Sequence, residues 1–92
     1  MIQSFRCTDT AALFAGRYVR RFASCHRVAE RKLAMLDDAA TLESLRSPPG
    51  NRLEMLRGDR NGRFSIRVNA QWRICFIWTH DGPAAVEMLD YH

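Results

Sequence analysis

Length, composition and charge bound the class of protein before any motif is considered. Ninety-two residues allow a single domain, residues 1–92. Hydrophobic residues make up 47% of the chain and charged residues 26%, which is typical of a folded protein and excludes a disordered one. No apolar run approaches the roughly 20 residues that span a bilayer, and the N-terminus lacks the basic-then-apolar order of a signal peptide. We therefore expect a cytoplasmic protein without a membrane partner.

The first half of the chain has helical periodicity. A short strand is expected over residues 2–5, and apolar spacing predicts a helix over about residues 9–22, which Gly16 weakens. Ser24 can cap a second, stronger helix. Its apolar residues recur at helical spacing: Val28, Ala29, Leu33, Leu36 and Ala40. Two consecutive amphipathic helices predict a helical hairpin that covers an apolar surface.

The second half of the chain changes to the period of two that is typical of β-strands. SPPGN at residues 47–51 is a strong helix breaker and marks the change. The predicted strands, separated by turns such as GDRNG at 58–62, are RLEML (52–56), FSIRV (64–68), WRICFIW (72–78) and AAVEMLDYH (84–92). The sequence therefore predicts an α+β domain in which an N-terminal helical hairpin packs on an antiparallel β-sheet.

Positive charge is concentrated in one part of the chain. The formal net charge is +4, and every basic residue except Lys32 is Arg. Residues 46–73 carry seven Arg against Glu54 and Asp59, a net of +5, whereas the rest of the chain carries seven basic and eight acidic residues. Arg makes bidentate contacts with phosphate. The segment indicates either a solvated basic face or a polyanionic partner.

Alternation along the strands separates an apolar face from a polar one. The apolar face must meet the helices, so the opposite face carries Arg67 and Arg73. If the last strand pairs with residues 72–78, the sheet holds the end of the chain beside these two arginines. The other groups expected near this face are Glu54, Arg57, Asp90, Tyr91 and His92.

These residue types are the ones that cleavage of an RNA phosphodiester needs. A base takes the 2′-hydroxyl proton, cations balance the charge on the phosphoryl oxygens, and an acid protonates the departing 5′-oxygen. We expect no metal and no other cofactor, because His26, His80 and His92 lack ligand spacing and the three Cys form no CxxC motif. The alternative from the residues alone is a C-terminal strand with ordinary polar ends.

Three sequence stretches together are specific: LRGDRNGRFSIRVN (56–69), QWRICF (71–76) and the terminal DYH (90–92). They resemble the HigB-type toxins of the RelE superfamily, the toxic halves of bacterial type II toxin–antitoxin pairs. The resemblance implies a RelE-like, microbial-ribonuclease-like fold and an mRNA endonuclease that cuts codons in the ribosomal A site. It also implies a cognate antitoxin, often a HigA-type helix-turn-helix protein, and binding of promoter DNA only through the antitoxin complex.

The resemblance also implies roles for individual residues. His92 is a catalytic acid or base, and Asp90 orients it or shares the proton work. Tyr91 stacks on a base or donates a hydrogen bond; its alternative is core packing. Arg73 stabilises the pentavalent phosphate; its alternative is an ion pair on the sheet face with Glu87. The arginines expected to bind RNA are Arg57, where relatives often carry Lys, Arg60, Arg63 and Arg67.

Glu54 departs from the pattern of the relatives, which often place His at this position. An ionised carboxylate with an ordinary pKa near 4.3 is a weaker base than imidazole at pH 7. Glu54 either accepts a proton in a dry site or only organises the arginines, so the assignment of acid and base stays open. The leading hypothesis is a ribosome-dependent endoribonuclease. The alternatives are a ribonuclease that needs no ribosome and a non-catalytic module that binds RNA or protein.

Overall fold

In the computed structural model, which describes residues 1–56 and 62–91, two α-helices precede a four-stranded sheet. The helices are α1 (Thr8–Phe14) and α2 (His26–Asp38), and the strands are β1 (Glu54–Met55), β2 (Arg63–Arg67), β3 (Trp72–Thr79) and β4 (Gly82–Asp90). Short 3₁₀-helices lie at Arg20–Cys25, Glu43–Leu45 and Pro49–Asn51. The α+β class and the antiparallel sheet predicted from the sequence are confirmed.

The sheet is a meander with the order β1-β2-β3-β4, and every neighbouring pair is antiparallel. The predicted strand over residues 2–5 is present only as an isolated parallel bridge between Phe5 and Val86. Around this bridge, the Gln3 N–H donates to the Pro83 carbonyl at 2.8 Å and the Arg6 N–H donates to the Val86 carbonyl at 3.0 Å. The N-terminal segment therefore covers the first half of the outer edge of β4, where an open edge would invite pairing with another chain.

The first helix ends eight residues earlier than predicted. Gly16 has φ +89°, and its N–H donates to the Leu13 carbonyl while the Arg17 N–H donates to the Ala12 carbonyl, both at 3.0 Å. This pair of bonds is a Schellman motif, in which a glycine with positive φ closes the helix by satisfying its last carbonyls. The prediction of a helix to residue 22 was wrong because it treated Gly16 as a weak helical residue and not as a stop.

Helix α2 lies close to its predicted place, although Cys25 and not Ser24 occupies its N-cap position and makes no side-chain capping bond. Its residues Ala29, Leu33 and Leu36 are fully buried. They join one core cluster with apolar residues of α1, of the 3₁₀-helix Arg20–Cys25 and of the helix-facing side of the sheet: Leu13, Phe22, Ile66, Ile74, Phe76, Val86 and Met88. Burial of each large apolar side chain contributes about 1.5–3 kcal/mol, so this layer holds the sheet rigidly against the helices. No helix in the described ranges is long and apolar enough to cross a bilayer.

The first strand is shorter than predicted. Arg52 has φ 45° and ψ 55°, a left-handed conformation outside the extended backbone region of a regular strand, and β1 begins only at Glu54. The registers Glu54 to Ser65 and Met55 to Phe64 join β1 to β2. The predicted hairpin turn at 58–62 falls largely on residues 57–61, which lie outside the described part of the chain.

Candidate active site

Arg73 lies at the centre of the sheet face that points away from the helices. It sits on β3 between the core residues Trp72 and Ile74, and strand alternation turns it to the opposite side. Its neighbours across the sheet are Arg67 on β2 and Leu89 on β4. Although it faces away from the core, Arg73 is only 7% exposed. Burial of a permanently charged side chain requires that the protein satisfy it with hydrogen bonds.

The guanidinium of Arg73 is held by three hydrogen bonds. Its Nε–H donates to Ser65 Oγ at 2.8 Å, and its Nη2 donates to the Ser65 carbonyl at 3.3 Å and to the Arg52 carbonyl at 2.7 Å. Ser65 belongs to β2 and Arg52 precedes β1, so the side chain reaches from β3 across β2 towards the edge of the sheet. Hydrogen bonds to charged groups contribute about 1.5–3 kcal/mol each, which fixes the orientation of the guanidinium.

The structure brings Glu54 and Tyr91 to this guanidinium. Glu54 Oε1 lies 3.8 Å from Nη1 of Arg73, and the Tyr91 ring centroid lies 5.6 Å from its Cζ. The Glu54 side chain is 57% exposed and Tyr91 is 42% exposed. A buried, fixed cation is therefore flanked by a carboxylate and a phenol that both reach solvent. The carboxylate that pairs with Arg73 is that of Glu54, so the alternative of an ion pair between Arg73 and Glu87 does not hold.

Asp90 does not join the arginine-lined face. Its Cα pairs with Trp72, which points into the core, and its carboxylate accepts a hydrogen bond from Gln71 Nε2 at 3.1 Å. Successive strand residues alternate between faces, so a sheet that places Tyr91 over Arg73 turns Asp90 the other way. The expectation that the last strand brings Asp90 onto the same face as Tyr91 was wrong for this reason.

Arg63 is buried in a network of its own. It is 7% exposed, and its Nη2 donates to the Ala85 carbonyl at 3.1 Å and to Glu87 Oε1 at 3.3 Å. Ala85 has φ 50°, and the register between β3 and β4 shifts beside it. Arg63 therefore braces an irregular part of β4. These contacts favour a structural role for Arg63 over the RNA contact predicted from the sequence.

Arg67 is half-buried on the same face as Arg73 and extends the positive region. Partial burial, together with the charges of Arg31 and Arg67, lowers the pKa of Lys32 below its usual range. Lys32 donates a hydrogen bond to Asn51, and Asn51 donates to the Leu45 carbonyl at 3.0 Å. Arg31 and Arg67 therefore lie close enough to Lys32 for their charges to disfavour its protonated form.

Three residues of the predicted site lie outside the described part of the chain: Arg57, Arg60 and His92. Their roles stay predictions.

Sequence reasoning missed the two residues that hold Arg73. Ser65 could have been found, because the alternation of FSIRV places it on the polar face beside the arginines. Arg52 could not, since nothing in the sequence marks its left-handed backbone, which directs a main-chain carbonyl at Arg73.

The arrangement can stabilise negative charge on an oxygen. Nε and Nη2 of Arg73 are committed to the protein, whereas Nη1 faces Glu54 at the solvent boundary. A cation fixed in advance stabilises charge that develops in a transition state without reorganising during the reaction. Among the described residues no group of three His, Cys, Asp or Glu lies close enough to hold a metal ion.

A family model matches most of the chain. The model described as a RelE-like toxin of type II toxin–antitoxin system HigB matches residues 15–92, which include every described residue of the site.

Two curated proteins are similar over most of the chain. Toxin HigB-1 of Vibrio cholerae serotype O1 is 52% identical over 62 residues, which cover 67% of this chain and 64% of that toxin. An uncharacterized protein of Haemophilus influenzae is 41% identical over 71 residues, which cover 76% of this chain and 68% of that protein. The chain thus aligns with about two thirds of the length of each relative.

Proposed function

Because this chain belongs to the HigB-like family of RelE-like toxins from type II toxin–antitoxin systems, we propose that it is a ribosome-dependent mRNA endonuclease that cuts A-site codons and so inhibits translation. A cognate antitoxin, of the HigA helix-turn-helix type, neutralises it, and the pair binds promoter DNA through the antitoxin. Proteins of this family are generally endoribonucleases, which supports the nuclease part of the proposal. The cytoplasm, which holds ribosomes and mRNA, is the proposed location.

The observation that carries the proposal is the position of the Arg73 guanidinium. It is buried and fixed by three hydrogen bonds, yet its Nη1 lies at the solvent boundary beside Glu54 and below Tyr91. Burial alone does not mark a catalytic arginine, since Arg63 is equally buried and only braces β4. What distinguishes Arg73 is that its fixed guanidinium meets the exposed side chains of Glu54 and Tyr91 at the solvent boundary.

In the proposed reaction each group has a separate task. The Nη1 edge of Arg73 binds a non-bridging oxygen of the scissile phosphate and stabilises the charge that builds on it. Glu54 takes the proton of the 2′-hydroxyl, which its exposed carboxylate can approach beside that phosphate. Tyr91 stacks on the neighbouring base or donates a hydrogen bond. His92 protonates the departing 5′-oxygen.

The reaction needs no metal in this proposal, because acid, base and cation are all protein groups. Arg57, Arg60 and Arg67 are proposed to bind RNA phosphates, which position the substrate without reading its sequence. The ribosome holds the codon in line, which compensates for a carboxylate base that is weaker than imidazole.

The discriminating experiment incubates the protein with an mRNA, either naked or bound to 70S ribosomes, and maps the new 5′-ends. We expect cuts within the A-site codon on ribosomes and little cleavage of naked RNA. Rapid cleavage of naked RNA would favour a free ribonuclease. Binding without any cleavage would favour a non-catalytic module.

A further inference from the structure

The guanidinium of Arg73 makes its contacts away from the strand that carries the Arg73 backbone. Arg73 is on β3, but its guanidinium contacts Ser65 on β2 and the Arg52 carbonyl before β1. It therefore crosses a whole strand to meet Glu54 at the sheet edge, where the register pairs Glu54 with Ser65.

Ser65 makes this crossing possible in two ways. It is fully buried beneath the guanidinium, and its small side chain leaves room for the arginine to lie diagonally across β2. Its hydroxyl accepts the Nε–H bond at 2.8 Å and its carbonyl accepts a second bond at 3.3 Å. Because Nε–H fixes the plane of the guanidinium, the Ser65 hydroxyl decides which edge of that plane faces outward.

Arg52 supplies the third contact through its backbone. Its φ of 45° and ψ of 55° are left-handed, a conformation that residues other than Gly and Asn rarely adopt. In this conformation its carbonyl accepts Nη2 of Arg73 at 2.7 Å. Sparsely populated backbone conformations persist where the surrounding structure holds them, and they cluster at functional sites.

We propose that Ser65 and the left-handed Arg52 are positioning residues for the reaction, which clamp Nε and Nη2 of Arg73 so that only its Nη1 edge is presented to the scissile phosphate. This inference rests on the proposed function. In this role both residues act on the reaction through Arg73. Without the clamp the guanidinium still carries its charge, but it samples several orientations and loses its fixed alignment with the developing oxyanion.

The first test compares Ser65→Ala, which removes the hydroxyl, with Ser65→Thr, which keeps it. Exposed Ser47 provides the control Ser47→Ala. We expect Ser65→Ala to lower kcat on programmed ribosomes by about 10- to 100-fold with KM nearly unchanged, and Ser65→Thr to recover most of the rate. Wild-type kcat in Ser65→Ala, or equal loss in both variants, would overturn the proposal.

A matched pair of variants tests the backbone of Arg52. Arg52→Gly and Arg52→Val both remove the same exposed cation, but Gly accepts positive φ and β-branched Val resists it. Any loss of RNA affinity is therefore common to both. We expect kcat to fall at least fivefold further in Arg52→Val than in Arg52→Gly. Equal kcat values would show that the carbonyl's position is irrelevant.

An NMR measurement separates failure of the clamp from failure of the proposed function. The Nε–Hε signal of Arg73, assigned by its loss in Arg73→Lys, should exchange slowly with water in the wild type and in Ser65→Thr, and quickly in Ser65→Ala. This readout needs no cleavage. If the wild type cuts no RNA but the signal is protected as expected, the clamp stands and the proposed function fails. If Ser65→Ala leaves the signal protected, the clamp is refuted whatever the activity.

Discussion

Removal of the Glu87 carboxylate is expected to destabilise the fold strongly, because it leaves the buried guanidinium of Arg63 without its carboxylate partner. The side chains of Arg63 and Glu87 are 8% and 16% exposed, their charged atoms lie 3.3 Å apart, and Nε of Arg63 has no hydrogen-bond partner among the described residues. Loss of one partner of a buried pair costs about 3–5 kcal/mol. Arg63 keeps its bond to the Ala85 carbonyl, so we expect about 2–4 kcal/mol for Glu87→Ala. At about 4–8 °C per kcal/mol, Tm should fall by at least about 8 °C.

Thermal unfolding followed by circular dichroism measures this effect. The exposed pair of Arg46 and Glu43, with charged atoms 3.2 Å apart and side chains 62% and 78% exposed, provides the control. Glu43→Ala should change stability by less than about 0.5 kcal/mol, since solvent screens surface ion pairs. The double variant Arg63→Met with Glu87→Leu should be more stable than Glu87→Ala alone. A fall in Tm for Glu87→Ala as small as that for Glu43→Ala would refute a structural role for Arg63.

Three further predictions follow from single sites. Gly16→Ala should lower stability by about 1–2 kcal/mol in the same thermal assay, because φ +89° strains any residue with a Cβ; unchanged Tm would contradict the Schellman stop. Partial burial opposes ionisation of the Cys7 thiol. Hydrogen bonds from the Thr10 backbone and side chain and from the Asp9 backbone, together with nearby positive charge, outweigh this burial and lower the pKa of Cys7. Burial raises the pKa of Cys25. At pH 7.5 mass spectrometry should therefore find iodoacetamide on Cys7 first, and equal labelling of both thiols would count against the structure. Glu54→Gln should lower the cleavage rate at least 100-fold. Glu54→His should restore part of that rate, with a pH–rate profile that rises near pH 6–7. Full activity of Glu54→Gln would show that this carboxylate only organises Arg73.

The sequence was most informative where one periodicity ran over many residues. The alternation of WRICFIW predicted which residues of β3 face the core, because a one-residue slip would expose that whole apolar face. The same logic placed Arg73 on the opposite face. Helix α2 was recoverable for a similar reason, since its apolar residues recur over three turns.

Prediction failed where a single backbone angle or a side-chain path decides the structure. Helix α1 ends at Gly16 and β1 begins only after Arg52, because both residues have positive φ values. A positive φ can be suspected at a glycine, but nothing in the sequence indicates one at an arginine. The face of Asp90 was misjudged because three consecutive polar residues were treated as one group, although alternation separates neighbours. The partners of Arg63 could not be predicted, because a basic residue in a basic segment is expected to be exposed, whereas the fold buries this one.

The catalytic role of Arg73 can be tested by comparing Arg73→Lys with Arg46→Lys in single-turnover cleavage of an mRNA on programmed ribosomes. Both variants keep the positive charge. The ammonium group in Arg73→Lys, however, cannot make the three bonds to Ser65 and Arg52 and also offer the N–H groups that Nη1 of Arg73 presents to the phosphate. We expect a rate at least 100-fold lower for Arg73→Lys, with ribosome binding intact, and a wild-type rate for Arg46→Lys, whose side chain is exposed. Equal rates for the two variants would show that the fixed guanidinium of Arg73 is not where the phosphate reacts.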